Sequence, residues 1–562
     1  MTQLSAGDAI NQLNRTEIGG VPAVWVPGRP EVLRVSLCFR AGMTDLDLPR
    51  HGWLHLLEHL ALHGRDGISL QVNGEVSLLG LRFDAAGDPA EVTAFFRELC
   101  AWLADPQLGD LEHEARVLRA ESGQRPVGAT ARHLLWRYGA RGPGVAAYEE
   151  FGLHRVAPIE LIALARSVFT AGNAICALNG EPPSGLELPL SAGPRRPVPL
   201  AVPCEQIMPA AFRDPVGGVG LSGLVDRSTA ATVFHRVLSR ELQKEIRHST
   251  GTGYSAWSDY ESVDAESAVI TAGIDVLLEA RSGLTGRVTR LVRRLAEQGV
   301  AESELAEELL LIRRSMREDP RAYWKPWAAA RAELSGLSSD PDGYDAELAA
   351  VTVDDIRRVA QQLSRTLLIG IDAGTNPETL PLLDCPTVDT VPDGGSIHPA
   401  LNKQAGEEQI RFSGGAAHLR RDRRFISAEP ATAAAVLARP DGRRTIIRPD
   451  GYQLDIEPTL WRDGAGLVRA VDEATPEPVR VPLPSRPADQ IPRPPATRRS
   501  WDLDRIRSLF DGTVAQLFVG LLIVGGVVAA VVDSHAQIPP IAPIVAGGLL
   551  LRLLAAQRHK KK

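Results

Sequence analysis

Cysteine and lysine are scarce in this chain of 562 residues, and only 5% of its residues are aromatic. The five cysteines are scattered and form no CxxC pair, which argues against a disulfide framework or a cysteine-based zinc site and fits a reducing compartment. Acidic residues outnumber basic ones and the net charge is −7, so no overall positive field would recruit nucleic acid. The remaining composition is that of a globular protein, and the length corresponds to about three or four domains.

The N-terminus lacks the basic start and apolar run of a secretory signal, whereas the C-terminus is strongly apolar. Residues 513–532 carry no charge, and a helix of this length at about 1.5 Å per residue spans a hydrocarbon layer of about 30 Å. The alternative is a buried helix of a soluble core. A second apolar segment at 541–551 either crosses back or lies at the membrane surface. Because basic residues flank both ends of this tail, we expect a hairpin in the cell membrane, with everything upstream in the cytoplasm.

Two halves with a similar order of elements precede the tail. In the first half, apolar stretches within 17–40 indicate a strand pair, and an amphipathic helix follows that is stopped by Gly64. Helical spacing continues at 91–103 and 111–121, with Asp110 as N-cap of the second of these helices. After a proline-rich linker, the order strand, helix, strand and helices recurs, which predicts two α+β domains of similar plan.

The most specific motif is His55-Leu-Leu-Glu58-His59. Histidines four residues apart on a helix project from one face, which is the spacing of zinc ligands. Glu58, one residue before the second histidine, can sit beside a metal without binding it and accept a proton from water. This is the inverted H-x-x-E-H order of the inverzincins. The alternative is an ordinary amphipathic helix whose histidines and glutamate are solvated.

Zinc in a catalytic site needs a third protein ligand and keeps one position open. Glu114 and Glu121 are seven residues apart in the second predicted helix and share a face, so that one can bind the metal and the other orient the surrounding groups. Taken alone, acid pairs at that spacing are more often solvated. His51 and His63 extend the histidine ladder, but we expect them to support the site or face solvent, because three ligands suffice.

From about residue 20 to 374 the sequence resembles the pitrilysin/insulinase family of zinc metallopeptidases. The resemblance is carried by LRVSLCFRAGMTDLDLPRHGWLHLLEHLALHG, by DPAEVTAFFRELCAWLADPQL and by EHEARVLRAES. It implies that Glu58 is the catalytic base and Glu114 a supporting carboxylate. It also implies three ligands for Zn²⁺, namely His55, His59 and Glu121.

Further downstream, LQKEIRHSTGTGYSA is similar to the family's substrate-binding Arg–Tyr pair, with Arg247 and Tyr254 in the matching positions. A guanidinium and a phenol can both donate to a peptide carbonyl whose oxygen gains charge during attack. Asn73 is similar to a family asparagine on the strand that pairs with substrate. One departure from the family is the short connection at 65–72, where the family has a longer stretch with its own helix.

The resemblance implies a zinc metalloendopeptidase that hydrolyses peptides or unfolded segments. Together with the apolar tail and its basic flanks, it predicts a membrane-anchored enzyme that acts on the cytoplasmic side. In the family, four such domains close around a chamber, so this two-domain chain is expected to form a homodimer or a heterodimer with a paralogous subunit. The alternative is a catalytically inactive family member that acts as a structural or substrate-docking subunit of a peptidase complex.

The predicted fold class is α+β, with two similar α/β-sandwich domains of the pitrilysin type, a small α+β module and a transmembrane hairpin. The module is indicated by a hairpin-like pair of apolar stretches around Pro449-Asp-Gly and a helix-like stretch after it. The predicted segments are the zinc-binding domain (1–190), the second peptidase-like domain with the Arg–Tyr pair (200–375), a linker (376–408), the module (409–481), a Pro/Arg-rich linker (482–507) and the membrane anchor (508–562).

Overall fold

The computed structural model describes residues 13–493, apart from short internal segments. The segments left out are 66–68, 125, 205–206, 215–218, 251–254, 275–282, 319–323, 337–342, 373, 378–379, 384–392, 402–407 and 422–423. Both predicted membrane segments therefore lie outside the described residues. Within the described part, no helix combines the length and the apolar character that crossing a membrane requires.

Six strands of the first half form one sheet in the order β1-β2-β6-β3-β5-β4. They are β1 (Asn14–Ile18), β2 (Val21–Trp25), β3 (Leu33–Phe39), β4 (Gln71–Val76), β5 (Leu81–Gly87) and β6 (Ala174–Leu178). The two strands predicted within 17–40 are present as β2 and β3, but the prediction that they pair with each other is wrong. Strand β6 lies between them and is hydrogen-bonded to both. All five residues of β6 are buried, which suits a central strand that returns from a distant part of the chain.

Among the described residues, the first half contains five α-helices, and the helices predicted from the sequence are present. They are α1 (Trp53–Leu62), α2 (Pro89–Ala104), α3 (Leu111–Ser122), α4 (Ala129–Tyr138) and α5 (Pro158–Val168). Asp110 occupies the N-cap position of α3 as predicted, but its side chain makes no capping hydrogen bond. Asp88 does cap α2, since its carboxylate accepts a hydrogen bond from the amide of Ala90.

The second half has a five-stranded sheet in the order β7-β11-β8-β10-β9. Its strands are β7 (Ala210–Arg213), β8 (Val219–Asp226), β9 (Ala256–Ser262), β10 (Ser267–Ile274) and β11 (Leu368–Ile371). Its helices are α6 (Thr229–Thr250), α7 (Leu284–Gln298), α8 (Glu302–Glu318), α9 (Trp324–Leu334), α10 (Tyr344–Ala350) and α11 (Val353–Arg365). One helix of each half packs on the sheet of the other half. Helix α9 packs on β2, β3 and β6 of the first sheet, and α4 packs on β8 and β10 of the second.

In the C-terminal module (residues 393–483), the described residues form two four-stranded sheets and one α-helix. The strand orders are β12-β13-β14-β15 and β18-β17-β16-β19. The elements are β12 (Ser396–Pro399), β13 (Gln409–Ser413), β14 (Ala416–Arg421), β15 (Arg424–Ala428), β16 (Ala435–Ala438), β17 (Arg444–Ile447), β18 (Gln453–Ile456), β19 (Arg480–Pro482) and α12 (Gly464–Ala474). The hairpin expected around Pro449-Asp-Gly is present as β17 and β18. Strand β12 lies inside 376–408, the segment that the sequence analysis treats as a linker.

Candidate metal centre

Helix α1 displays the histidine pair on the face turned away from the core. It starts after Gly52, whose φ of 98° lies in the left-handed region that glycine tolerates. His55 and His59 are half-buried, and their ring centroids are 4.9 Å apart. The opposite face anchors the helix in the core of the first half through Trp53, Leu54, Leu56, Leu57, Leu60 and Ala61. The four-residue spacing therefore places both imidazoles side by side at the solvent boundary.

Glu121 joins this pair from the last turn of α3. The candidate ligand atoms of His55, His59 and Glu121 all lie within 4.8 Å of one another. Glu121 is exposed, so the group is open to solvent on one side. Two imidazoles, one carboxylate and an accessible fourth position form the donor set of a catalytic zinc site. The residues that the structure brings together therefore fit a zinc ion.

Glu114 lies two turns before Glu121 on α3 and contacts two histidines. Its Oε2 is 3.2 Å from Nδ1 of His59, and its Oε1 is 2.7 Å from Nδ1 of His63. Burial alone would raise the pKa of Glu114, but the hydrogen bonds from the two imidazoles outweigh burial and leave it below its ordinary value. The ionised carboxylate accepts from Nδ1 of His59 and leaves Nε2 of that ring for a metal.

Glu150 plays the same part for the other histidine. Its Oε1 lies 2.9 Å from Nδ1 of His55, so that both histidines of the motif have a carboxylate on Nδ1. Glu150 is not predicted from the sequence, because it lies in an irregular segment at no fixed spacing from the motif. Its only local signal is the acidic pair that it forms with Glu149, which is weak.

Glu58 is the buried member of the motif, with 5% of its surface exposed. Its Oε2 is 3.6 Å from Nε2 of His55, on the side of the ring that faces the candidate metal position. Burial raises the pKa of Glu58, and the neighbouring His55 and His59 oppose this rise. A carboxyl group that takes up a proton more readily than an exposed glutamate suits a general base that later releases the proton.

Strand β4 passes directly beside Glu58 and carries Asn73. Among the described strands β4 pairs with β5 alone, so its outer edge is open. Asn73 is exposed on this strand and stands opposite Asp84 of β5 in the register. The backbone of Gly74, the next residue, lies against the carboxylate of Glu58. An open edge next to the candidate base can accept an extended peptide as an added strand.

The predicted Arg–Tyr pair cannot be placed in the same way. Arg247 belongs to the last turn of α6, but its side chain and the whole of Tyr254 lie outside the described residues. Of the two additional histidines, His63 contacts Glu114, as described above. His51 is buried, which lowers the pKa of its imidazole, and it is not a member of the candidate ligand group.

No protein-family model and no curated protein matches the sequence. Among solved structures, a protease from Helicobacter pylori matches with a TM-score of 0.53 and 15% identity, covering 64% of this chain and 99% of the other. An inactive domain of peptidase M16 from Pseudomonas fluorescens matches with a TM-score of 0.53 and 15% identity, covering 65% and 100%. A chain of complex III2 from Candida albicans gives a TM-score of 0.51 at 12% identity, with 64% and 95% covered.

These identities are low, so the matches concern the fold. The M16 neighbours include a domain described as inactive, and likeness to them carries no catalytic role by itself. The chain is a mixed α/β protein with the fold of the M16 peptidases, which is the pitrilysin-like fold.

Proposed function

We propose that this protein is a zinc-dependent endopeptidase that hydrolyses peptides or unfolded protein segments. The observation that supports it most is the meeting of His55, His59 and Glu121 within 4.8 Å, from two helices that are separate in the sequence. The buried Glu58 beside this group is the residue expected to handle protons. Carboxylates on Nδ1 of both histidines add the outer support that metal-binding histidines normally have.

The residues divide the chemistry between them. A bound Zn²⁺ would supply Lewis acidity and lower the pKa of water toward about 7. Glu58 accepts the proton of the attacking water and then delivers it to the leaving amine, so that the carboxyl returns to its starting state. Arg247 and Tyr254 are proposed to donate hydrogen bonds to the substrate backbone or to the oxygen on which charge develops.

The open edge of β4 supports an extended peptide as substrate. A peptide that pairs with this strand is held mainly through its main chain, and this gives affinity with a loose sequence preference. Asn73 lies on that edge and is proposed to contact the bound peptide. A peptide that pairs with β4 on both sides of the cleaved bond would be cut within its chain rather than at its ends, and we propose this mode of cleavage.

The proposal is tested by metal content and cleavage of a broad peptide mixture in three matched proteins. Wild-type protein should bind one Zn²⁺ per chain and cleave peptides. Glu58→Gln should keep the metal and lose cleavage by about 10²- to 10⁴-fold, whereas His59→Ala should lose both. A wild-type protein without stoichiometric zinc, or unchanged cleavage by E58Q, would show that the proposal is wrong.

The second candidate function is that of a non-catalytic docking or structural subunit. It is supported by the similarity of the fold to a peptidase M16 domain that is described as inactive. Such a subunit would bind peptides without cleaving them. Equal peptide binding by the wild type and E58Q, with no cleavage by either at full zinc loading, would favour this candidate.

We also propose that the chain pairs with a second copy or a paralogous subunit and that the apolar tail anchors it in the cell membrane. If the zinc ligands of one copy face Arg247 and Tyr254 of another, two inactive variants should complement each other. A mixture of E58Q and Tyr254→Phe, unfolded and refolded together, should regain activity that neither protein has alone. No gain on mixing would argue against a site shared between copies.

A further inference from the structure

The segment 139–155, here named the bridging segment, connects both metal-site helices with the C-terminal module. It carries Glu150, whose carboxylate contacts His55. Most of it consists of short 3-10 turns, at Gly142–Ala147 and Phe151–His154, and its internal backbone hydrogen bonds join residues only two or three positions apart. Its position must therefore be set by what it packs against.

On one side the bridging segment is bonded to α1 and α3. The amide of Gly152 donates to the carbonyl of His51 at 2.9 Å, and the indole of Trp53 donates to the carbonyl of Gly152 at 2.9 Å. The amide of Glu150 donates to the hydroxyl of Ser122, the residue after Glu121, at 3.1 Å. Glu150 thus has a backbone contact to the helix of one candidate ligand and a side-chain contact to another.

The bridging segment can lie this close to the start of α1 only because Gly52 has no side chain. A Cβ atom at Gly52 would lie 2.6 Å from Cβ of Glu150, which is closer than two carbons can pack. Gly52 is the residue before α1, and it has the positive φ given above. The main chain at the start of α1 therefore fixes how closely Glu150 can approach His55.

On its other side the bridging segment is held by the C-terminal module. The amide of Ala140 donates to the carbonyl of Pro449 at 3.0 Å, and the guanidinium of Arg155 donates to the carbonyl of Pro478 at 2.8 Å. Phe151, next to Glu150, belongs to an apolar cluster that joins the two parts of the chain. The cluster contains Leu48, Ala140 and Phe151 from the first half, and Ala435, Leu437, Ile447 and Val481 from the module.

We propose that Glu150 is a positioning residue for the zinc ligand His55 and that the C-terminal module holds Glu150 in place. By accepting the proton of Nδ1, the carboxylate fixes the tautomer and the rotation of the ring, so that the lone pair of Nε2 points to the metal. The module contributes no candidate ligand within the described residues, and its part is to keep the bridging segment against α1. This inference rests on the proposed zinc site.

Zinc affinity, measured by competition with a chromophoric chelator, tests the first step in the full-length chain. Glu150→Gln keeps the size of the side chain and removes its charge, and the dissociation constant for Zn²⁺ should rise by about 10- to 100-fold. Glu150→Asp keeps the charge and should recover part of the affinity. The matched control is Glu149→Gln, because Glu149 is the exposed neighbour and should leave the affinity unchanged. The midpoint of urea unfolding without zinc should stay the same in all four proteins, which separates positioning from general stability.

The second step is tested by two neighbours on β17 that point to opposite faces. Ile447 lies in the cluster with Phe151, whereas Ile446 lies in the module's own core, and both are fully buried. At a temperature where the module remains folded, Ile447→Ala should weaken zinc binding by about two- to tenfold, and Ile446→Ala should not. Equal zinc affinity of I447A and wild type would refute the role of the module.

The outcomes separate this inference from the proposed function. A wild-type chain that binds no zinc would refute both. A wild-type chain that binds zinc, with an E150Q variant of equal affinity, would refute the positioning role alone.

Discussion

The carboxylate of Glu58 occupies the space that a side chain on Gly74 would need. A Cβ atom built on Gly74 overlaps Oε1, the carboxyl carbon and Cγ of Glu58, so a larger residue fits at this point of β4 only if the side chain of Glu58 moves. The backbone dihedral of Gly74 is ordinary, and its requirement is therefore one of space. The same strand that offers its outer edge to a peptide thus also forms the wall behind the candidate base.

Replacing Gly74 with alanine should displace Glu58 while leaving the ligands in place. We expect Gly74→Ala to reduce kcat/KM for peptide cleavage by about 100-fold or more, which is the loss expected when a general base is misplaced. Zinc content, measured by atomic absorption, should stay at the wild-type level, because Glu58 is not one of the ligands.

Gly80, in the turn after β4, is the matched control for this variant. A Cβ atom there would meet its nearest neighbour, the carbonyl oxygen of Phe39, at 3.4 Å, which is an ordinary contact. Gly80→Ala should therefore keep both activity and zinc content. Equal activity of G74A and G80A would contradict the prediction that a side chain at position 74 disturbs the candidate base.

Glu114 is expected to act on the metal through His59. Glu114→Gln removes the ionised acceptor of Nδ1, and zinc affinity should fall by about 10- to 100-fold. His63→Ala removes the other partner of Glu114 and leaves the contact to His59, so it should have a much smaller effect. Both are measured by chelator competition, and a loss in H63A as large as in E114Q would assign the effect to the whole cluster rather than to His59.

Local spacing was enough to predict which residues of the candidate site share a helix face, and the family resemblance implied the role of each. Residues four apart, as in His55 and His59, or seven apart, as in Glu114 and Glu121, share a face of a helix whatever the rest of the chain does. The helices themselves are marked by apolar periodicity and by stop signals such as Gly64. These predictions need no knowledge of how distant segments meet, whereas the approach of α3 to α1, which brings Glu121 to the two histidines, does not follow from spacing.

The features that spacing could not predict all depend on contacts between distant parts of the chain. Strand β6 enters the sheet between β2 and β3 after all the helices of the first half, and no local pattern marks that position. Glu150 reaches His55 from an irregular segment whose position is set by packing against α1 and the C-terminal module. The need for glycine at position 74 arises only because the side chain of Glu58, from α1, fills the space that a Cβ atom would take.

The apolar tail gives a prediction that the sequence alone supports. We expect a two-span hairpin at 513–532 and 541–551, with the C-terminus on the same side of the membrane as residues 1–507, because basic residues flank both ends of the tail. A reporter that is active only on the cytoplasmic side, fused after Lys562, should be active, and the fusion protein should be recovered with the membranes. Activity of a periplasmic reporter fused at the same position would refute the hairpin, and release of the protein by high salt or carbonate would refute the anchor.

His133 connects the two halves and should make stability depend on pH. It lies on α4 and is fully buried against the second sheet, with Nδ1 2.9 Å from Oγ of Ser222 and its ring edge-on to Phe212 at 5.0 Å between centroids. Burial lowers the pKa of its imidazole from 6.5 to about 3, and the nearby Arg137 and Arg132 add to this shift. Folding therefore favours the neutral ring, and protonation favours the unfolded chain.

The sign of the effect follows from proton binding in the two states. The contribution of His133 is fully present above pH 6.5, where neither state binds the proton, and it is lost as the pH falls from 6.5 toward 3, because the unfolded chain binds the proton first. Between pH 5.5 and 4.5 the free energy of unfolding should fall by about 1 kcal/mol for this group alone. His133→Asn should be less stable at neutral pH but show a correspondingly flatter slope in urea unfolding over this interval. His113→Asn, at an exposed position of α3, is the control and should keep the wild-type slope; an H133N slope equal to that of H113N would mean that His133 is not neutral in the folded protein.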